Sequence, residues 1–162
     1  MIQIDPTARV SRWADIEDSV RGTLIQVQAG AVIDSFVKIK PVGGMGDVVI
    51  GASSVINSGC VLYSGNGIKI GRLVSVAANC TFAPVNHAYK HCDRPIQEQG
   101  FMPSRGGIVV EDDVWIGANC VLLDGATLRQ GCVVAAGSIV RGEVAPFTVV
   151  GGQPLRVLGS RK

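Results

Sequence analysis

Aliphatic residues recur at every sixth position along most of the chain, beginning at Ile4. The first positions of these hexads are all apolar and form six groups of three: Ile4, Val10, Ile16; Val27, Ile33, Ile39; Ile50, Ile56, Leu62; Ile70, Val76, Phe82; Val110, Ile116, Leu122; Leu128, Val134, Val140. Four places after each of them stands a residue that is nearly always small or β-branched. A fixed short period of this kind indicates stacked repeats. We therefore predict that three hexads make one triangular turn, and that the chain forms a parallel β-helix of about six coils.

Insertions interrupt the hexad frame only between groups of three hexads, at residues 22–26, 45–49, 68–69 and 88–109. Because these breaks are in register with the turn, we expect every insertion to leave the prism at one corner. Valine and isoleucine favour short strands, and the 21 glycines suit tight corners that need positive φ. The prediction is an all-β, single-stranded helix over residues 1–145, with a long loop at 88–109 and a C-terminal capping segment at 146–162.

Composition narrows the classes of partner. The net charge is only +2 and no basic stripe carries interleaved aromatic residues, which argues against nucleic-acid binding. No apolar run approaches the roughly 18 residues of a membrane span, and residues 1–10 lack the layout of a signal peptide. These features predict a cytoplasmic protein with no membrane span.

The cysteines fall into two kinds. Four of the five occupy the small position of a hexad, where other hexads carry alanine, serine or valine: Cys60, Cys80, Cys120 and Cys132. Cysteine there behaves as a small buried hydrophobe, so we interpret these four as packing residues. Cys92 instead lies in the long insertion beside His91. A histidine-activated thiol nucleophile is conceivable, but no third group that would orient the pair is evident.

Candidate chemistry concentrates where the long insertion begins. Long loops on a rigid scaffold often carry binding and catalytic groups, and this one starts directly after Asn86 and His87. Asn66 and Asn86 are also the only amides at the small position, and departures from a local rule often mark functional sites. Position alone leaves open whether His87 is catalytic or an ordinary surface histidine.

Several motifs in order along the chain resemble one family. They are Phe82–Tyr89 (FAPVNHAY), Val114–Asn119 (VWIGAN), Ala136–Val140 (AGSIV) and Gly152–Pro154 (GQP). Together they resemble the hexapeptide-repeat acyltransferases, in particular the branch of maltose, galactoside and exopolysaccharide O-acetyltransferases. This resemblance implies a left-handed parallel β-helix, a homotrimer, and an active site between neighbouring prisms.

The resemblance also implies roles for individual residues. His87 would be the catalytic base, which takes a proton from a substrate hydroxyl as that oxygen attacks the thioester of acetyl-CoA. Histidine suits this task because its ordinary pKa is about 6.5. Asn57 aligns with a family asparagine near the acyl and acceptor site, and we expect Asn57 and Asn86 to contact substrate.

For the coenzyme, the family lays the pantetheine arm along the C-terminal coils. By resemblance, Trp115, Ala118 and Ala136 would line that groove. Family members often carry Thr-Lys where this chain has Arg141 and glycine; Arg141 could supply the positive charge, since its planar guanidinium suits phosphate. Arg156 stands at the basic position after the G-x-P motif.

The leading hypothesis is therefore acetyl-CoA-dependent O-acetylation of a sugar or polysaccharide precursor. N-acetylation of a nucleotide-linked amino sugar could use the same scaffold and base. A non-catalytic β-helix scaffold is a third alternative. A metal-dependent hydratase resembling the γ-class carbonic anhydrases would need three histidines on the ion; the chain has 2, and we expect no metal.

Overall fold

The computed structural model describes all 162 residues. It contains 21 short β-strands and a single 3-10 turn at Ile96–Gln99. No helix is long and apolar enough to cross a membrane. The all-β prediction is confirmed.

The strands form three sheets, which are the faces of a triangular prism. The first face contains β1 (Ile2–Ile4), β4 (Ile25–Val27), β7 (Val48–Ile50), β10 (Ile68–Ile70), β13 (Ile108–Val110), β16 (Thr127–Leu128) and β19 (Glu143–Val144). The second face contains β2 (Arg9–Val10), β5 (Val32–Ile33), β8 (Val55–Ile56), β11 (Ser75–Val76), β14 (Trp115–Ile116), β17 (Val133–Val134), β20 (Thr148–Gly151) and β21 (Arg156–Ser160). The third face contains β3 (Asp15–Ile16), β6 (Lys38–Lys40), β9 (Val61–Tyr63), β12 (Thr81–Ala83), β15 (Val121–Leu123) and β18 (Ile139–Val140).

Each coil gives one strand to each face, and neighbouring coils pair in parallel. The third face has six strands, so six coils are complete, and β19 and β20 begin a further coil. Hexad residues stack on their equivalents, as Phe82 does between Leu62 and Leu122. The fold is the left-handed parallel β-helix that the family resemblance implied. Only β21 departs from the pattern, because it turns back and pairs antiparallel with β20.

The hexad aliphatics form one continuous core inside the prism. Phe82 is the largest of its fully buried side chains. In the first coil, however, Ile4 is 44% exposed, and Val10 and Ile16 are only partly buried. These residues have a coil on one side only, and a solenoid buries its inward row solely against its neighbours.

The connections at the four predicted insertions all lie at the corner between the third and first faces, which we call the flap corner, although the predicted insertions run into the first-face strands and residues 68–69 fall inside β10. The prediction of one shared corner is confirmed. The longest connection, residues 84–107 between β12 and β13, is called the flap. The hexad frame was wrong at Val20 and Asn66: Val20 is 99% exposed and Asn66 is also exposed. The chain leaves the prism directly after the third-face strand, before it would reach the inward position at this corner.

The buried cysteines pack as predicted. Cys60, Cys80, Cys120 and Cys132 are free and fully buried, whereas Cys92 is exposed. Cys80 Sγ donates to the Gly117 carbonyl oxygen at 3.1 Å, and Cys120 Sγ donates to that of Ala135 at 3.2 Å. Burial raises the pKa of Cys132 to about 11, which keeps this thiol protonated and unreactive at neutral pH.

Candidate active site

His87 lies at the base of the flap, where the two ends of the flap run antiparallel. Its backbone bridges Phe101. On either side, Ala88 N donates to the Gly100 carbonyl at 3.0 Å and Met102 N donates to the Asn86 carbonyl at 2.8 Å. The exposed imidazole packs on the Phe101 ring with centroids 4.9 Å apart. Backbone pairing therefore fixes His87 at the corner while its side chain stays accessible.

A cavity of about 330 Å³ opens beside this imidazole. Apart from His87 and the hydroxyl-bearing Tyr63, its side-chain walls are apolar: Val42, Ala83, Val85 and Phe101. A larger open hollow of about 520 Å³ lies on the first two coils, between residues 2–5 and 26–29, and its one ionisable side chain, Asp5, already accepts two hydrogen bonds from Thr7. The cavity at His87 is the better candidate because it joins a proton acceptor to a concave apolar surface.

Asn86 contributes to the architecture of the flap base. Its Nδ2 donates to Asp124 Oδ1 at 2.6 Å. Asp124 follows β15 at the flap corner on the next coil and is the only charged residue among the buried set, at 4% exposure. Its second oxygen, Oδ2, accepts the backbone N–H of Arg105 at 3.1 Å. The sequence analysis did not identify Asp124. The only indication of it in the sequence is that an acidic residue directly follows a strand of the repeat.

Asn57 lies at a different corner, where the second face turns into the third. Its Nδ2 donates to the Val76 carbonyl at 2.7 Å, and the side chain is half-buried. Within one chain the whole width of the third face separates this corner from His87. The sequence-predicted partners Asn57 and His87 are thus not brought together by a single prism.

The coenzyme-binding candidates Trp115, Ala118 and Ala136 lie along one side of the prism. Trp115 projects from the second face with 56% of its surface exposed. Ala118 and Ala136 occupy the same corner as Asn57, which we call the alanine corner, and Gly137 N donates to the Ala118 carbonyl at 2.8 Å. A Cβ on Gly117 would approach Ala136 N to 2.5 Å, so no side chain fits there. At positions 117–118 and 135–138 this corner therefore carries only glycine, alanine and serine.

The two arginine candidates lie near the last coils. Arg141 follows β18 at the flap corner and is exposed, on the rim of a cavity of about 270 Å³ that Gln153, Pro154 and Leu155 also line. Arg156 begins β21 and is exposed as well. Neither guanidinium takes part in a salt bridge, so both are available to an anionic ligand.

The tip of the flap is organised by Gln99. Its side chain accepts the His91 N–H at 3.1 Å and donates to the His91 carbonyl at 2.8 Å and the Arg94 carbonyl at 3.1 Å. Cys92 and His91 are both exposed in this part of the flap. No group of three His, Cys, Asp or Glu side chains is placed to hold a metal ion.

Comparison with known proteins agrees with this architecture. Residues 107–142 match the family described as bacterial transferase hexapeptide (six repeats). The chain is a hexapeptide-repeat protein with acetyltransferase homologues. It is 31% identical over 115 residues to the Mycobacterium tuberculosis protein named "Probable acetyltransferase Rv3034c", a match that covers 71% of this chain and 36% of that protein. The chain thus spans about a third of the length of this curated relative.

Solved structures extend the comparison. The hexapeptide-repeat acetyltransferase VCA0836 of Vibrio cholerae, in complex with acetyl-CoA, is 39% identical with a TM-score of 0.62; the match covers 71% of this chain and 61% of that one. A point mutant of AntD, an N-acyltransferase from Bacillus cereus in complex with dTDP and coenzyme A, has a TM-score of 0.81 at 21% identity; the match covers 99% of this chain and 83% of that one. At that low identity, the second likeness concerns the fold alone.

Proposed function

We propose that this hexapeptide-repeat protein is an acyltransferase that moves the acetyl group of acetyl-CoA to a hydroxyl of a sugar or polysaccharide precursor. The observation that carries the proposal is the accessible imidazole of His87 at the mouth of the 330 Å³ cavity. The relatives add support, because the V. cholerae acetyltransferase with 39% identity was solved with acetyl-CoA.

In the proposed reaction His87 acts as a general base. Its neutral imidazole takes the proton of the acceptor hydroxyl as the oxygen attacks the thioester carbonyl carbon, which forms the new C–O bond. The tetrahedral intermediate then breaks its C–S bond, and the imidazolium returns the proton to the departing thiolate. No covalent enzyme intermediate is needed, and positioned proton transfer contributes about 10²–10⁴-fold.

The lining of the cavity favours a hydroxyl over an amine as the acceptor. No carboxylate lies among the residues that surround His87 there. An ammonium group entering such an apolar cavity would lose its hydration without gaining a counter-charge. A neutral hydroxyl has no comparable desolvation cost. N-acetylation of an amino sugar is therefore the second hypothesis.

The placement of the coenzyme candidates suggests how copies assemble. In one chain the alanine corner and the flap corner are different edges of the third face. The proposal is that the alanine corner of one copy lies against the flap corner of the next, so that small residues admit the thin pantetheine arm beside His87. Such a contact is heterologous and can close into a ring, and the ring would have three copies in the homotrimer that the family resemblance implies. Sedimentation equilibrium showing a monomer at assay concentrations would contradict this arrangement.

The test is thiol release from acetyl-CoA with a panel of hydroxylated and amino sugars, followed by mass spectrometry of the products. O-acetylation predicts products that lose the acetyl group in mild alkali, whereas an amide product would support the second hypothesis. If no acceptor raises thiol release above spontaneous hydrolysis, the protein is a non-catalytic scaffold towards these compounds.

A further inference from the structure

The buried carboxylate of Asp124 is a prominent feature of the molecule that the proposed reaction does not use. Charged groups are rarely buried unless they are paired, because desolvation strongly penalises the ionised form. Asp124 is buried without a salt bridge, and both of its oxygens are hydrogen-bonded to the flap. The fold itself does not demand this arrangement, since the other coils turn the same corner without a buried charge.

The two bonds of Asp124 reach opposite ends of the flap. Oδ1 accepts the side-chain amide of Asn86 at 2.6 Å, directly before His87. Oδ2 accepts the backbone N–H of Arg105 at 3.1 Å, shortly before the flap rejoins the prism. Next to this carboxylate, Gly125 N donates to the Gly106 carbonyl at 3.2 Å. One side chain on the next coil therefore joins both ends of the flap.

Closure at this point determines where His87 lies. The Asn86 carbonyl accepts Met102 N at 2.8 Å, and this bond places the two flap ends side by side. The His87 ring can rest on the Phe101 ring only while those ends stay paired. If the carboxylate released either end, we expect the backbone pairing that carries the imidazole to loosen, because that end would lose a hydrogen bond to the prism.

We propose that Asp124 is a positioning residue that fastens both ends of the flap and so holds His87 at its cavity. Its consequence for turnover rests on the function proposed above, whereas its consequence for the flap does not. The carboxylate touches no reacting atom and acts only through Asn86 and Arg105.

The central variant is Asp124→Asn, which preserves size. An amide has one acceptor oxygen, so its NH₂ group must face a donor at one of the two flap ends and release that end. The rescue variant combines Asn86→Asp with Asp124→Asn. In this variant the side-chain amide at position 124 donates to the new carboxylate at position 86. The oxygen of the same amide remains free to accept the N–H of Arg105. Asp112→Asn is the matched control, because Asp112 Oδ1 accepts the Arg72 N–H at 2.7 Å at an exposed corner away from the flap.

Two measurements report on the flap without requiring activity. The first is limited trypsin cleavage after Lys90 and Arg105, which lie in the flap. Loss of a charge-assisted hydrogen bond predicts at least about tenfold faster cleavage in Asp124→Asn. The second is the proton NMR signal of the His87 ring, assigned with His91→Gln. We expect this signal to move in Asp124→Asn, and to remain in place in the control.

A kinetic measurement completes the test. In Asp124→Asn we expect kcat to fall about tenfold or more, while the KM for acetyl-CoA stays within about twofold, as for a misplaced base. The reciprocal double variant should recover flap protection to within about threefold of wild type. If Asp124→Asn proves unable to fold, Asn86→Ala releases one flap end alone and must show the same changes.

Unchanged cleavage and an unmoved His87 signal in Asp124→Asn would overturn the proposal, whatever the activity. Failure of the double variant to recover protection would also overturn it, because the carboxylate would then matter for a reason other than these bonds. If the flap opens as expected but wild type transfers no acetyl group, the fastening role of Asp124 stands and the proposed function fails.

Discussion

Replacing the imidazole of His87 should separate catalysis from folding. In His87→Ala the side chain loses its ring contact with Phe101. An aromatic pair is worth about 0.5–1.5 kcal/mol, and since Phe101 is 56% exposed, we expect the lower part of that range. For a chain of this size, such a change lowers the melting temperature by no more than about 4 °C.

The expected effect on turnover is much larger. Removal of a general base costs about 10²–10⁴-fold, which corresponds to about 2.7–5.4 kcal/mol of transition-state stabilisation. The loss should appear in kcat, because the base acts as the proton moves and contributes little to binding of acetyl-CoA. His87→Ala should therefore lose several times more free energy of transition-state stabilisation than free energy of unfolding.

The assay is thiol release from saturating acetyl-CoA with the best acceptor, beside thermal unfolding of each variant. Phe101→Ala is the matched control, since it removes the same ring contact and keeps the imidazole; its turnover should fall less than about tenfold. His91→Ala, the other histidine, should change neither quantity. Turnover in His87→Ala within about threefold of wild type would refute the role of the base. Equal losses of turnover in His87→Ala and Phe101→Ala would show that turnover depends on the ring packing and not on proton transfer by His87.

Other predictions concern the prism itself. Phe82→Ala should lower the free energy of unfolding in urea by about 3–5 kcal/mol, since Phe82 is fully buried; Phe82→Leu should cost less than about 1.5 kcal/mol, because leucines flank it in the stack, and equal costs would contradict this packing. Arg129 bridges Glu111 and Glu143 at 2.8 Å and lowers the pKa of both carboxyl groups. The bridges therefore stabilise the fold above the unfolded pKa of about 4.3 and are lost as pH falls through the folded values. Arg129→Gln should weaken the loss of stability between about pH 7 and pH 3, and an unchanged acid dependence would argue against these bridges. Iodoacetamide should modify Cys92 alone in the native protein and all 5 thiols after unfolding, as counted by mass spectrometry; rapid labelling of further native thiols would contradict the burial of the stack.

Much of the fold follows from the sequence because the information is local and repeated. The six-residue period determines which side chains point inward, and stacking of equivalent hexads then sets the register without further choice. The position of the breaks predicted that the insertions share one corner. The same rule misplaced Val20 and Asn66, since a period cannot reveal where the chain departs from the prism.

The candidate site was only partly predictable. The motif around His87 and the start of the long insertion pointed to the corner where the structure has the apolar cavity, and both are properties of consecutive residues. Asp124 escaped notice because its partners Asn86 and Arg105 are distant in sequence and meet it only after two coils stack. The apolar cavity combines residues from several coils with three flap residues, Val85, His87 and Phe101, for the same reason.

The sequence by itself thus determined a triangular β-helix, its core and the corner that carries the flap, because each depends on a repeat of short range. Only the tertiary structure decided which side chains close the flap, what lines the cavity at His87, and that Asn57 and His87 lie at different corners. Those relations depend on contacts between coils and across the prism, which no local pattern encodes.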